Sequence, residues 1–235
     1  MALPSIQTPR YEIRIPSTNA RVTYRPYLVK EEKILMLARE SADPKQISRA
    51  VKDVVASCTF GAVDPDKLSS FDLEYIFLKL ASKSVGEVSK LTLKCEKCGV
   101  PNPVEINLDE ITVDMSSQPS PRIKLTDKIG VVMRWPTVDL ISDLSDKSGG
   151  NVQEVIMALI TGCIDSIFDE NGTYRADDHS PEELKAFVES LNRTQFTQIQ
   201  KYVEAIPQLQ HSVEFCCGKC NEKNSMLIKG LNNFF

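Results

Sequence analysis

Four cysteines carry the clearest chemistry in this 235-residue chain. They form two pairs of the same spacing, Cys95-Glu96-Lys97-Cys98 and Cys217-Gly218-Lys219-Cys220, with residues 99–216 between them. Thiolates two residues apart on a tight turn can both face one metal ion, and two such turns complete a tetrahedral S₄ set. Gly99 follows the second cysteine of the first pair, where a left-handed backbone is often needed. Asn221 holds the same place in the second pair and tolerates that conformation better than most residues. Lys94, Lys97, Lys219 and Lys223 would partly offset the doubly negative centre. The spacing therefore predicts one structural zinc ion on Cys95, Cys98, Cys217 and Cys220. A closed S₄ site leaves no coordination position for a substrate, so the metal is not catalytic.

Other readings compete. The pairs could be free surface thiols. A redox role is less favoured, because two such motifs would be needed and neither opens a helix. A ribbon that binds nucleic acid is favoured by the local lysines. It is opposed by the net charge of −4 and by the lack of interleaved aromatics. Cys216 stands beside Cys217 as a rival ligand, but only Cys217 keeps the spacing to Cys220. His211, near the second pair, is a spare ligand. Cys58 and Cys163 fall on apolar faces read as helical and suit small core positions.

The rest of the chain offers no enzyme chemistry. His179 and His211 are the only histidines, and neither has a nucleophile or acid partner at a recognisable spacing. No phosphate-binding or dinucleotide-binding glycine motif occurs. A calcium loop with its glycine at Gly172 would start at Ile167, which cannot ligate, so Asp169 to Gly172 reads as a solvated turn. Asp177-Asp178 and Glu182-Glu183 read as turn and helix-start charges. A hydrophobic fraction of 42% with 26% charged residues is that of a soluble globular protein. Met1 to Ser5 shows no secretory-leader pattern, and no run approaches the roughly 18 apolar residues of a membrane span.

The elements around the cysteines follow from periodicity. Tyr11 to Ile15 and Val22 to Arg25 alternate with period two and predict a hairpin around Ser17-Thr18-Asn19. Helices are predicted from Lys30 to Ser41, from Pro44 behind an Asp43 cap, and from Ser69-Ser70 onward. The last includes Phe71 to Leu80, apolar almost all round. Strands Val88 to Lys94 and Val104 to Leu108 flank the first cysteine pair. Strands Ser212 to Phe215 and Met226 to Ile228 flank the second. Residues 116–121 read as a linker, and Arg122 to Leu125 with Ile129 to Trp135 as a further hairpin. Ser148-Gly149-Gly150 breaks the chain. The stripe Val152, Val155, Ile156, Leu159, Ile160, Cys163, Ile164 and Ile167 predicts one long amphipathic helix. Ser180-Pro181-Glu182-Glu183 starts another, and the last runs from Thr194 to Ala205.

Several of these segments resemble the baseplate proteins of T4-like contractile-tailed bacteriophages. They are Leu3-Pro4 with Tyr24 to Lys33, the block Phe71 to Leu80 through Lys83 to Glu87, and the first cysteine pair. Ser180 to Leu184, Leu191 to Phe196, and the second pair with Phe234-Phe235 complete the set. The Phe71–Glu87 block is the most specific part. The resemblance implies a baseplate hub subunit or a hub assembly chaperone, without enzymatic activity. Its partners would be other baseplate or hub proteins, and it would be made in the cytoplasm of an infected bacterium. The competing class is a zinc-ribbon adaptor that binds nucleic acid or a host protein.

The expected fold is α+β, a mainly helical body with short antiparallel hairpins and a split Cys₄ zinc ribbon. It divides into an N-terminal hairpin arm (1–28), a helical subdomain (29–86), a first half-ribbon (87–115), a hairpin and helical insertion (116–207), and a second half-ribbon with a docked C-terminus (208–235). Phe71, Tyr75, Phe77 and Leu78 suit either a partner-binding helix face or the central core helix. Phe234 and Phe235 suit docking, onto this chain or a neighbour.

Overall fold

The computed structural model describes residues 6–116, 118–146 and 152–230. In chain order the strands are β1 (Tyr11–Arg14), β2 (Arg21–Tyr24), β3 (Val88–Lys94), β4 (Pro101–Asn107), β5 (Thr112–Val113), β6 (Arg122–Lys124) and β7 (Gly130–Met133). They continue as β8 (Ile164–Phe168), β9 (Thr173–Arg175), β10 (Leu209–Cys216) and β11 (Lys223–Lys229). The helices are α1 (Val29–Ser41), α2 (Pro44–Cys58), α3 (Ser70–Val85), α4 (Val138–Asp146), α5 (Val152–Gly162), α6 (Pro181–Glu189) and α7 (Arg193–Glu204). All strand pairs are antiparallel, so the fold is α+β with small sheets.

The chain forms two compact units, residues 1–114 with 208–235, and residues 115–207. In the first unit β1 and β2 form the expected hairpin, with Asn19 in the left-handed region at φ 56°. The Asp43 carboxylate accepts from the Lys45 N–H and caps α2, while Ser69 caps α3. Asp72, in the first turn of α3, accepts from the Ser17 N–H and ties the hairpin turn to the helix. Arg25 bonds the Glu31 carboxylate at 2.9 Å and the Ser57 hydroxyl at 3.1 Å. α3 is buried on several sides, with Leu73, Ile76, Leu78 and Leu80 at most 2% exposed. Its Lys79 ammonium is buried too, and donates to the carbonyls of Leu108, Asp109 and Ile111.

Two sheets stand on this helix. β3 pairs with β4, and β10 lies between β11 and β5. Alternate residues of each, including Leu91, Leu93, Ile106, Val213 and Ile228, join Leu78 and Tyr75 in one apolar cluster. The cluster anchors both cysteine-bearing hairpins, because period-two alternation puts one face of each on the core.

The second unit is built on the sheet β6-β7-β8-β9, with α4 to α7 packed on a core of Val131, Met133, Ile160, Ile164, Val188, Ile199 and Tyr202. Trp135 stacks on Tyr202 with ring centroids 4.3 Å apart. The Ser180–Glu183 capping box is present. The stripe from Val152 to Ile167 is not one helix: α5 stops at Gly162, and Ile164 to Phe168 becomes β8. Helical and strand periods both place Ile164 and Ile160 inside. β8 is claimed by its ladders with β7 and β9. Cys163 therefore sits at a helix–strand junction, still fully buried. The expected break at 148–150 lies outside the described residues. Among the described residues, no helix is long and apolar enough to cross a membrane.

Candidate metal centre

β3 and β4 deliver Cys95 and Cys98 at their connecting turn, and β10 and β11 deliver Cys217 and Cys220 at theirs. The two turns are the same structure. The Gly99 N–H donates to the Cys95 carbonyl at 2.8 Å, and the Asn221 N–H donates to the Cys217 carbonyl at 3.0 Å. The Cys95 N–H reaches the Val100 carbonyl and the Cys217 N–H reaches the Glu222 carbonyl. Gly99 (φ 69°) and Asn221 (φ 54°) occupy the left-handed region that the spacing called for.

The four Sγ atoms all lie within 4.8 Å of one another. Cys95 to Cys220 is 3.7 Å and Cys98 to Cys217 is 3.5 Å. Ligands at the Zn–S distance in a tetrahedron stand about 3.8 Å apart, so the quartet is close to the size that one ion needs. Cys95 and Cys217 are buried, while Cys98 and Cys220 are part-exposed. Cys216 is exposed, and among the described residues neither it nor His211 joins the cluster.

The four thiols also bear on one another electrostatically. The N–H groups of Cys220 and Lys219 lower the Cys217 thiol to about 6. The N–H groups of Cys98 and Lys97 lower Cys95. The Glu222 N–H also favours the Cys220 thiolate, yet burial and its bonds with Cys98, Cys217 and Cys95 carry that thiol up to about 12. Thiolates held this close repel one another, and a divalent ion bound among them would offset that repulsion. A soft, all-thiolate, tetrahedral donor set can hold one metal ion. By contrast, burial raises Cys58 to about 11 and Cys163 to about 12, which leaves them as inert core thiols.

Across the two turns, Lys97 and Glu222 form an ion pair at 2.6 Å. Sequence reasoning missed two further residues here, Asn102 and Asn224. Each stands four residues after the second cysteine of its pair, in a shared pattern Cys-x-Lys-Cys-x-x-x-Asn. That repeat was the available signal.

Phe71 and Leu78, predicted as either partner-binding or core, are 1% and 0% exposed and belong to the core. An apolar helix of this kind is enclosed on several sides, here by α2 and by β5 and β10. Tyr75 and Phe77 are half-buried. Phe234 and Phe235 lie outside the described residues.

A family model described as T4 bacteriophage base plate protein matches residues 8–235. The chain belongs to this family. The match spans both units and all four clustered cysteines, so the cysteine cluster lies within the baseplate-family region. No curated protein and no solved structure matches the chain. Phage structural proteins are the partners that a baseplate protein implies.

Proposed function

We propose that this baseplate protein acts in assembly of the baseplate hub of a contractile phage tail, as a retained hub subunit or as an assembly chaperone, and without enzymatic activity. The family match over nearly the whole chain carries this reading. Its partners are other baseplate or hub proteins. It is made in the cytoplasm of the infected host, and a retained subunit would end in the virion. Quantitative mass spectrometry of purified virions tests the role. Stoichiometric presence identifies a subunit and near-absence a chaperone. A chain that is missing from virions and dispensable for tail assembly would overturn both.

The four thiolates hold one structural zinc ion, which joins two hairpins far apart in sequence. Bound there, the ion supplies no reaction chemistry. Metal analysis of the reduced protein should give about one zinc per chain. The Cys95→Ser/Cys98→Ser variant should lose it and melt clearly lower, because binding to a site absent from the unfolded chain adds to folding stability. Iron in place of zinc would change the ion's identity, and a well-folded metal-free parent would remove the clasp.

A further inference from the structure

The two cysteine turns are joined by a reciprocal pair of asparagine side chains. The Asn102 Oδ1 accepts from the Gly218 N–H at 2.9 Å, in the opposite turn. The Asn224 Oδ1 accepts from the Glu96 N–H at 3.0 Å, again in the opposite turn. Gly218 follows Cys217 and Glu96 follows Cys95, so both contacts fall beside the first thiol of the other pair. Each Nδ2 donates within its own turn, Asn102 to the Val100 carbonyl at 2.8 Å and Asn224 to the Glu222 carbonyl at 3.0 Å. Those two carbonyls also accept from the N–H of Cys95 and of Cys217. Asn102 Nδ2 lies 3.7 Å from the Cys217 Sγ as well. Both side chains are buried, at 7% and 4% exposure.

Each amide thus has its acceptor end on one turn and its donor end on the other. Displacing either asparagine takes the side-chain acceptor from an N–H of the opposite turn and one of two donors from a carbonyl of its own turn, and frees the turns to shift past each other. The distance between the two cysteine pairs is what that shift would change. We propose that Asn102 and Asn224 are positioning residues of the Cys₄ site, fixing the separation of its two thiol pairs and thereby its metal affinity. The proposal rests on the metal clasp described above. Groups that orient metal ligands from behind typically change affinity by roughly ten- to a hundred-fold when removed.

The test uses the full chain with Asn102→Ala, Asn224→Ala, Asn102→Gln and Asn224→Gln. Zinc affinity is read by competition with a chromogenic chelator, and site geometry by the absorption bands of bound Co²⁺. The alanine variants should bind zinc roughly ten-fold or more weakly, with shifted Co²⁺ bands and parent-like far-UV circular dichroism. The glutamine variants keep the amide but displace it by one methylene, so they should lose affinity too. They decide the matter if the alanine variants fail to fold. Val54→Ala, a core substitution in α2, should lower the melting temperature and leave zinc affinity unchanged. Affinity within two-fold of the parent and unchanged Co²⁺ bands in the asparagine variants would overturn the proposal. So would an equal loss of affinity in Val54→Ala. A parent that binds neither zinc nor Co²⁺ would instead sink the clasp itself.

Discussion

Glu31 is a carboxylate at 3% exposure, and the first unit keeps it ionised. Burial alone would raise its pKa, but hydrogen bonds from the Arg25 guanidinium, the Leu28 N–H and the Ser57 hydroxyl bring it from 4.5 down to about 2. The folded-state value lies below the ordinary one. The pair therefore stabilises the fold fully above about 4.5, and that contribution disappears as pH falls from there toward about 2. Glu31→Gln should flatten the acid limb of the stability curve across that window, measured by denaturant titration at stepped pH. Glu31→Ala should cost about 3 kcal/mol at neutral pH, because it leaves the buried Arg25 charge without its partner. At this scale the sequence was uneven. The four cysteines were legible because a thiolate pair needs a fixed spacing. Asn102 and Asn224 carry a signal only in their shared spacing behind each pair, and what they do shows only when the opposite turn is seen beside them. The ammonium of Lys79 inside the core had no sequence sign at all, because its three carbonyl partners come from a turn some thirty positions later.

Elements with local signals were read well from the sequence. α2 and α6 announce their starts with Asp43-Pro44 and Ser180-Pro181, and the structure uses both caps. Elements decided by distant partners were not. β5 is two residues long and exists because it pairs with β10. α4 was overlooked although Thr137 stands at its start, its hydroxyl accepting from the Leu140 N–H at 3.4 Å. The apolar residues of β8 fit both the helical and the strand period, so periodicity alone extends the helix through them. The sheet containing β8 supplies a sharper test of the second unit. A Cβ on Gly130 would lie 2.3 Å from the Phe168 ring and 2.6 Å from the Ile123 carbonyl, one on each neighbouring strand. The Phe168 ring, with the Arg122 guanidinium 3.9 Å from its centroid, can shift as a side chain, but the Ile123 carbonyl belongs to the backbone of β6 paired with β7. Gly130→Ala should therefore destabilise this unit by about 1–3 kcal/mol, the usual cost of overpacking, read by chemical denaturation. A cost below about 0.5 kcal/mol, the scale of neutral surface changes, would mean that the sheet relaxes around the added methyl.

At the scale of the whole molecule, the chain leaves the first unit through β5 and returns through β10, and these two strands are hydrogen-bonded neighbours. Leu209 stands opposite Val113 and Gln210 opposite Thr112. Antiparallel partners lie about 5 Å apart, a gap that a short turn can bridge. We propose that residues 115–207 form a self-contained insertion whose folding the first unit does not require. The second unit has its own sheet and core, and the first keeps all four clustered cysteines. Replacing residues 115–207 by a short glycine-containing turn should leave a folded protein that still binds one metal ion per chain. The excised 115–207 segment should fold cooperatively and bind none. Circular dichroism melts and metal analysis of the two pieces measure both outcomes. The loop-closure argument also gives a direction. Shortening the connection between β5 and β10 lowers the entropy cost of pairing them, so the trimmed unit should melt no lower than the same unit in the full chain. A lower melt, or loss of the metal with the insertion, would show that the two units fold as one.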